Sequence, residues 1–228
     1  MPHLGNRLEE PILPLSLSLL LKTKTGCRNM YDSMVKNNIQ PSSISKWLNE
    51  LGCNNIDVVK LFKLPFKCHQ STFLQWFQCR INHRILGTNS LLKKMNIKNN
   101  NLCSLCHLEE ETIFHLFCKC NIVKTFWQDL IILINTNCPA LNIPMSDADF
   151  IFGNKNLHKV INLIFILAKY YVFKTKDKNK HPNVGVFKKY IINQYKTDQY
   201  IASESLNQRT HDQYWKPVIV LINNIITE

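Results

Sequence analysis

The spacing of cysteine and histidine residues between positions 103 and 120 constrains this chain more than any other feature. The four residues of the pattern C-x2-C-x8-H-x4-C are Cys103, Cys106, His115 and Cys120. Thiolate and imidazole groups are the ligands that zinc prefers, and a structural zinc ion usually binds four of them in a tetrahedron. Because protein atoms then fill every position, no site is left for a catalytic water. The pattern therefore predicts one structural Zn²⁺.

Two neighbouring residues compete for places in this ligand set. Cys118 is an alternative to Cys120, and His107 is a spare ligand next to the second cysteine. If a helix starts near Glu110 and continues, Cys118 lies closer in angle to His115 than Cys120 does. If the helix ends near Cys118, Cys120 is free to turn toward the metal. A further alternative is a set of reduced, buried cysteines that pack as small hydrophobic residues.

Positive charge is concentrated in one part of the chain. The 228 residues carry a formal net charge of +12, yet residues 58–108 contain no Asp or Glu. The basic residues of this acid-free segment are Lys60, Lys63, Lys67, Arg80, Arg84, Lys93, Lys94 and Lys98. A second basic run, residues 174–180, holds four lysines and one aspartate. An acid-free basic segment beside a zinc site is typical of a surface that binds polyanions. The alternative is a lysine-rich surface that only maintains solubility.

Six residues are the candidate nucleic-acid contacts: Trp76, Arg80, Arg84, Lys93, Lys94 and Lys98. The cationic members would neutralise phosphates, and Trp76 would stack on an unpaired base or on an arginine plane. Each has a structural alternative. Trp76 is equally compatible with a half-buried core position. Arg80 and Arg84 are equally compatible with internal ion pairs to residues 109–111 or to Asp129.

The fold class expected from the sequence is mainly α, because glycine is scarce and apolar residues recur at helical spacing. Predicted helices begin near residues 42, 56, 71, 90, 110, 121, 148, 157, 184 and 208. The acidic residues 109–111 are expected at the start of the fifth of these, where the helix dipole favours negative charge. Proline is expected to end the second helix at Pro65, and residues 174–182 are expected to form a basic loop. Phe73, Phe77 and Ile81 are predicted to form the buried face of the third helix. The helix over residues 157–174 is predicted to carry one apolar face, formed by Leu157, Val160, Ile161, Ile164, Ala168 and Tyr171.

The sequence suggests three parts and an intracellular protein. Residues 1–55 form an N-terminal segment, partly disordered and then helical; residues 56–137 form the zinc-binding domain; residues 138–228 form a C-terminal helical region. Nine cysteines, an odd number without a pairing rhythm, favour a reducing compartment, the nucleus or the cytoplasm. Residues 12–21 are apolar but lack a cleavage site directly after them and are too short to span a bilayer, so no membrane segment is expected.

Motifs for catalysis are missing from the sequence. It contains no phosphate-binding glycine loop and no hydrolase nucleophile motif. Asp147 and Asp149 are the only close aspartate pair, and no third carboxylate stands near them. Helix capping after Ser146 explains this pair better than a two-metal site does. We therefore expect no catalytic residues and no enzymatic activity.

A long pattern of residues resembles a known family. Residues 77–89, 102–106, 111–120 and the pair Phe126-Trp127 are similar to the zinc-binding region that follows the reverse transcriptase in LINE-type (non-LTR) retrotransposon polyproteins. The flanking residues 24–32 resemble the entry to that region, and residues 150–153 and 164–171 resemble its helical C-terminal tail. The resemblance implies that Cys103, Cys106, His115 and Cys120 bind the zinc ion. It thus favours Cys120 over Cys118.

The resemblance also implies what kind of protein this is. The polymerase and endonuclease segments of the family lie upstream and have no counterpart here, so the chain would be a separated C-terminal piece of a retrotransposon reverse transcriptase. The leading hypothesis is a non-catalytic, zinc-stabilised domain that binds RNA or DNA without strong sequence preference, with a retroelement reverse transcriptase as a further expected partner. The alternatives are a zinc-stabilised protein-interaction scaffold and a non-functional retroelement remnant.

Overall fold

The computed structural model describes residues 42–52, 58–141, 143, 146–178 and 180–227, with the backbone alone for residues 58–60. Ser42–Glu228 form one compact unit. The predictions for the apolar residues 12–21 and for the entry segment 24–32 lie outside the described residues.

Helices make up most of the described chain, which confirms the predicted mainly α class. They are α1 (Ser42–Leu51), α2 (Val58–Cys68), α3 (Thr72–Asn82), α4 (Asn89–Lys94), α5 (Asn121–Asn137), α6 (Asp147–Phe152), α7 (Lys159–Asp177), α8 (Val184–Glu204), α9 (Gln208–Trp215) and α10 (Ile219–Thr227). A π-helix spans His115–Lys119, and 3-10 turns span Pro139–Leu141 and Lys216–Val218. Within the described ranges, the only β interaction is an isolated antiparallel bridge between Leu102 and Glu110.

Local capping signals place the ends of two helices where the sequence predicts them. Gly52 follows α1 with φ +62°, a backbone conformation that glycine adopts without strain. At the start of α6, Ser146 Oγ accepts from the Asp149 amide, and the Asp149 carboxylate accepts from the Ser146 amide. This reciprocal pair is a capping box, so the interpretation of Asp149 as a capping residue is confirmed. Gly153, with φ +82°, ends the helix.

Helix α7 lies at the centre of the hydrophobic core, where α2, α3, α8 and α9 pack against it. Every side chain from Val160 to Lys169 is buried. The residues predicted to share one face of this helix are buried from Val160 onward, and neighbouring helices cover its other sides along these turns as well. The helix also extends to Asp177, so residues 174–177 are not a loop as expected. Its last turn carries Lys176 into the protein interior.

Two further expectations about the early helices are wrong. Helix α2 continues through Pro65 to Cys68 rather than ending before the proline. A proline inside a helix removes one hydrogen bond, but Leu64 and Cys68 are both buried, so packing keeps this segment helical. In α3, the buried face contains Leu74, Phe77 and Ile81, whereas Phe73 is half exposed. The predicted apolar stripe was therefore misplaced by one residue at its start.

Helices on both sides of residue 138 share one core, since α5 packs against α8 and α10. The predicted boundary between a zinc-binding domain, residues 56–137, and a C-terminal region, residues 138–228, stays a prediction. None of the helices in the described ranges combines the length and the apolar character needed to cross a bilayer.

Candidate metal centre

A short loop closed by backbone hydrogen bonds holds the first two cysteines. The Cys103 amide donates to the Glu109 carbonyl at 2.8 Å, and the His107 amide donates to the Cys103 carbonyl at 2.9 Å. His107 adopts φ +56°, which turns the chain back on itself. Its side chain is exposed and does not belong to the group of possible ligands, so the structure keeps this spare histidine away from the site. The sulfur atoms of Cys103 and Cys106 thereby come close together. We call residues 103–109 the zinc loop.

A π-helical turn carries the other two residues of the group. In an α-helix, a separation of five residues would place Cys120 about 140° around the axis from His115. Here the Cys120 amide donates to the His115 carbonyl at 2.8 Å, which is the i→i+5 bond of a π-helix. The wider turn of the π-helix places Cys120 on the same side of the helix axis as His115. Cys118 instead donates its thiol hydrogen to the Asp147 carbonyl, at an Sγ–O distance of 3.6 Å.

The four possible ligand atoms form a compact cluster. The sulfur atoms of Cys103, Cys106 and Cys120 and a ring nitrogen of His115 all lie within 4.8 Å of one another. The Cys103 and Cys120 sulfurs are 4.0 Å apart, and His115 Nε2 is 3.3 Å from the Cys106 sulfur. Zinc bonds to sulfur and nitrogen imply about 3.5–3.8 Å between ligands of a tetrahedral site. Residues of this type at these distances fit one zinc ion with no open position.

Glu109 orients the histidine of the cluster. Its carboxylate lies 3.0 Å from His115 Nδ1, a position in which it accepts the Nδ1 proton and leaves Nε2 to bind a metal ion once the ring is neutral. A carboxylate in contact with the second nitrogen of a ligand histidine is a common feature of zinc sites. Sequence reasoning assigned Glu109 to the start of a helix and missed this role. The available signal was an acidic residue a few positions before the ligand histidine.

The metal-free cluster holds protons that a zinc ion would displace. A hydrogen bond to Cys120, together with burial, raises the pKa of Cys103 to about 12, and the same bond lowers the pKa of Cys120. A hydrogen bond to Cys103 raises the pKa of His115 to about 9. Because zinc binds thiolates and neutral imidazole, metal binding at neutral pH should release protons.

A buried ion pair connects the zinc loop to the core. Glu111 and Lys176 are both buried, with 2.6 Å between carboxylate and ammonium. The Glu111 carboxylate also accepts from the backbone amides of Asn89 and Ser104, each at 2.9 Å. The expectation that Glu111 belongs to a helix start is wrong, because the helical segment begins only at Ile113, and the charge of Glu111 is matched by a lysine far along the chain. Ser104 follows Cys103 directly, so this network of hydrogen bonds joins the zinc loop, α4 and α7.

The predicted nucleic-acid contacts on α3 and just after it differ in their surroundings. Trp76 is 68% exposed, and Arg80 is also exposed, so Trp76 is not the core residue of the alternative interpretation. Arg84 binds Glu50 through two nitrogens, at 2.6 and 2.7 Å, and lies over the Trp47 ring at 4.3 Å. This partner is neither Asp129 nor an acid of residues 109–111. The geometry favours a structural role for Arg84 in holding α1.

The three predicted lysines on and after α4 are exposed. Lys98 Nζ donates to the Asn89 side chain at 2.8 Å, and Lys93 Nζ lies 3.5 Å from the Asn101 side chain. A hydrogen bond from Ser90 lowers the pKa of the Glu110 carboxyl, with smaller contributions from Lys94 and Lys93. An acidic group therefore lies near two of the three lysines, just beyond the acid-free segment.

The residues of the metal cluster lie within a stretch of sequence that resembles a known family. Residues 27–127 match the sequence model of a family described as zinc-binding in reverse transcriptase, and the match includes the four residues of the metal cluster. A comparison with curated proteins found no match. The family and the Cys3His cluster together support one structural zinc ion, as the sequence predicts. Residues 27–127 are thus similar to the zinc-binding domain that this family model describes.

Proposed function

We propose that this chain is a non-catalytic domain that binds RNA or DNA through phosphate contacts, with its zinc ion serving only to hold the fold. The observation that supports it most is the acid-free segment, residues 58–108, which leads directly into the zinc loop. Polyanion binding depends on the number of cations that reach phosphates, and nearby carboxylates would compete for them. The chain would derive from the C-terminal part of a LINE-type retrotransposon reverse transcriptase.

The structure narrows the set of cations that can reach phosphates. In the described part of the acid-free segment, the exposed lysine and arginine side chains are those of Lys63, Lys67, Arg80, Lys93, Lys94 and Lys98. Like the lysines of this set, Arg80 has no ion pair within the described residues, and it also lies one helical turn from the exposed Trp76, which makes it the strongest candidate. Arg84 is engaged by Glu50, and in the second basic run Lys176 is buried against Glu111. We therefore leave both out of the proposed phosphate-binding set.

Two arrangements of side chains support a non-catalytic role. The metal cluster supplies four protein ligands, so a bound zinc ion would have no position for a reactive water. Asp147 pairs with Lys119 at 2.7 Å, and Asp149 caps α6, so both carboxylates of the close pair have structural partners. We further propose that the protein works inside the cell, in the nucleus or the cytoplasm, in contact with a retroelement reverse transcriptase.

A binding titration of the zinc-loaded chain tests the proposal. The affinity for RNA and for DNA should fall as salt rises, because binding releases counterions from the phosphates. The double variant Arg80→Gln/Lys98→Gln should reduce the slope of log affinity against log salt by about 0.7–0.9 for each phosphate that is no longer neutralised. The charge-matched control is Lys124→Gln/Lys155→Gln, which removes two exposed lysines outside the acid-free segment and should leave the slope unchanged.

Other outcomes would contradict the proposal. Absence of any salt-dependent binding to RNA or DNA would favour the protein-interaction scaffold. An equal reduction of the slope in the control variant would show that net charge, rather than the acid-free segment, drives binding. Mg²⁺-dependent extension or cleavage of nucleic acid that survives stringent purification would overturn the non-catalytic role.

A further inference from the structure

The outward face of α3 carries large aromatic side chains that a folded domain usually buries. Phe73 is 50% exposed and Trp76 is 68% exposed. At 100° per residue, Phe73, Trp76 and Arg80 lie within an arc of about 60° on the helix surface. The neighbouring side of the helix, with Leu74 and Phe77, packs into the core. We call the outward three residues the α3 aromatic stripe.

The aromatic surface continues from α3 onto α7. The Phe73 ring meets the Tyr170 ring edge to face, with 5.0 Å between centroids. The Lys174 ammonium lies 5.9 Å from the centre of the Tyr170 ring, and its side chain is exposed. A cation thus stands near each end of the row of rings, Arg80 on α3 and Lys174 on α7. These contacts hold Phe73 in place, which lowers the entropic cost of using its exposed face for binding.

We propose that the α3 aromatic stripe stacks on unpaired bases, so that the domain prefers single-stranded RNA or DNA over a duplex. The inference rests on the proposed function and specifies the strand state of its ligand. The face of a base is accessible to a side chain only where the base is unstacked, and proteins that bind single strands combine such aromatic platforms with a basic groove. The absence of acidic residues from residues 58–108 favours a polyanion over an apolar protein segment as the occupant.

The test compares two probes and three variants of the full, zinc-loaded chain. The probes are an oligothymidylate single strand and a mixed-sequence duplex with the same number of phosphates. Trp76→Leu and Phe73→Leu keep an apolar side chain but remove the aromatic face. Tyr200→Leu is the matched control, because Tyr200 is a 65% exposed aromatic residue on α8. Circular dichroism and zinc content establish that each variant is folded.

We expect the parent protein to bind the single strand more tightly than the duplex. Trp76→Leu should weaken single-strand binding roughly tenfold, the loss expected for one stacked base, with little change for the duplex. Phe73→Leu should weaken it in the same direction, and Tyr200→Leu should behave like the parent. The other three tryptophans, Trp47, Trp127 and Trp215, are each 1% exposed, so quenching of fluorescence by the single strand should disappear in Trp76→Leu.

The outcomes separate this inference from the proposed function. Equal, salt-sensitive binding of both probes, unaffected by Trp76→Leu, would overturn the stacking role and leave the phosphate contacts intact. Single-strand preference that persists in Trp76→Leu would place stacking elsewhere and equally overturn it, leaving the exposed rings as a surface for protein contacts. Failure of the parent to bind either probe would overturn both proposals together.

Discussion

Replacing Glu111 by glutamine should destabilise the protein more than any change of an exposed charge. Glu111 is fully buried and its carboxylate binds the Lys176 ammonium at 2.6 Å and the amides of Asn89 and Ser104 at 2.9 Å each. Glutamine has nearly the same shape as glutamate, but it offers one acceptor oxygen in place of two. Its NH2 group would face a group that itself donates a hydrogen bond. The ammonium of Lys176 then lies in the interior with neutral acceptors alone, such as the Gly87 carbonyl at 3.3 Å, and without a negative partner.

The magnitude follows from these interactions. Removing one partner of a buried ion pair costs about 3–5 kcal/mol, because the other charge is left without compensation. Lys176→Met should cost less, about 2 kcal/mol, since the Glu111 carboxylate still accepts from two backbone amides. The double variant Glu111→Gln/Lys176→Met removes both charges. Its cost should fall short of the sum of the single costs by at least about 1 kcal/mol.

Urea unfolding at pH 7 with saturating zinc measures these costs, with the fluorescence of the buried tryptophans as the signal. The control is Asp147→Asn, which breaks an exposed ion pair with Lys119 and should cost below about 1 kcal/mol. Zinc affinity should also fall about tenfold in Glu111→Gln, because the Ser104 amide next to Cys103 loses its acceptor. The reasoning is refuted if Glu111→Gln costs under about 1 kcal/mol, or if the single costs add to the double cost within about 0.5 kcal/mol.

Three further changes test the metal site and the core. Chelation of the single zinc ion, or His115→Ala, should expose the amides of the zinc loop to hydrogen exchange while α7 and α8 stay protected; global loss of protection would contradict this local effect. Cys120→Ser should reduce zinc affinity far more than Cys118→Ser, as measured by competition with a chromophoric chelator, and the reverse order would make Cys118 the ligand. Burial lowers the pKa of Lys169 to about 7 from its ordinary value of 10.5, so the unfolded chain binds more protons between these values and stability should rise with pH across that window. Lys169→Met should flatten this rise in urea unfolding at pH 7 and pH 9, and an unchanged slope would show that Lys169 is not its source.

Features that depend on neighbours within a turn or two could be predicted from the sequence. The limits of α1 and α6 follow from Ser146, Gly52 and Gly153, because capping residues act on backbone groups a few positions away. The mainly α class follows from the spacing of apolar residues in the same way. The zinc ion could be predicted too, since all four residues of the pattern lie close together in the chain and their chemistry suits one metal.

Tertiary structure alone decided which residues those local patterns bring together. The π-turn that turns Cys120 toward the cluster has no signal in the spacing, and a regular helix would have favoured Cys118. Lys176 belongs to a run of lysines that resembles an exposed loop, yet it is buried against Glu111, 65 positions away. Such pairings depend on how distant segments pack, and only packing determines whether a charge meets water, a phosphate or a carboxylate.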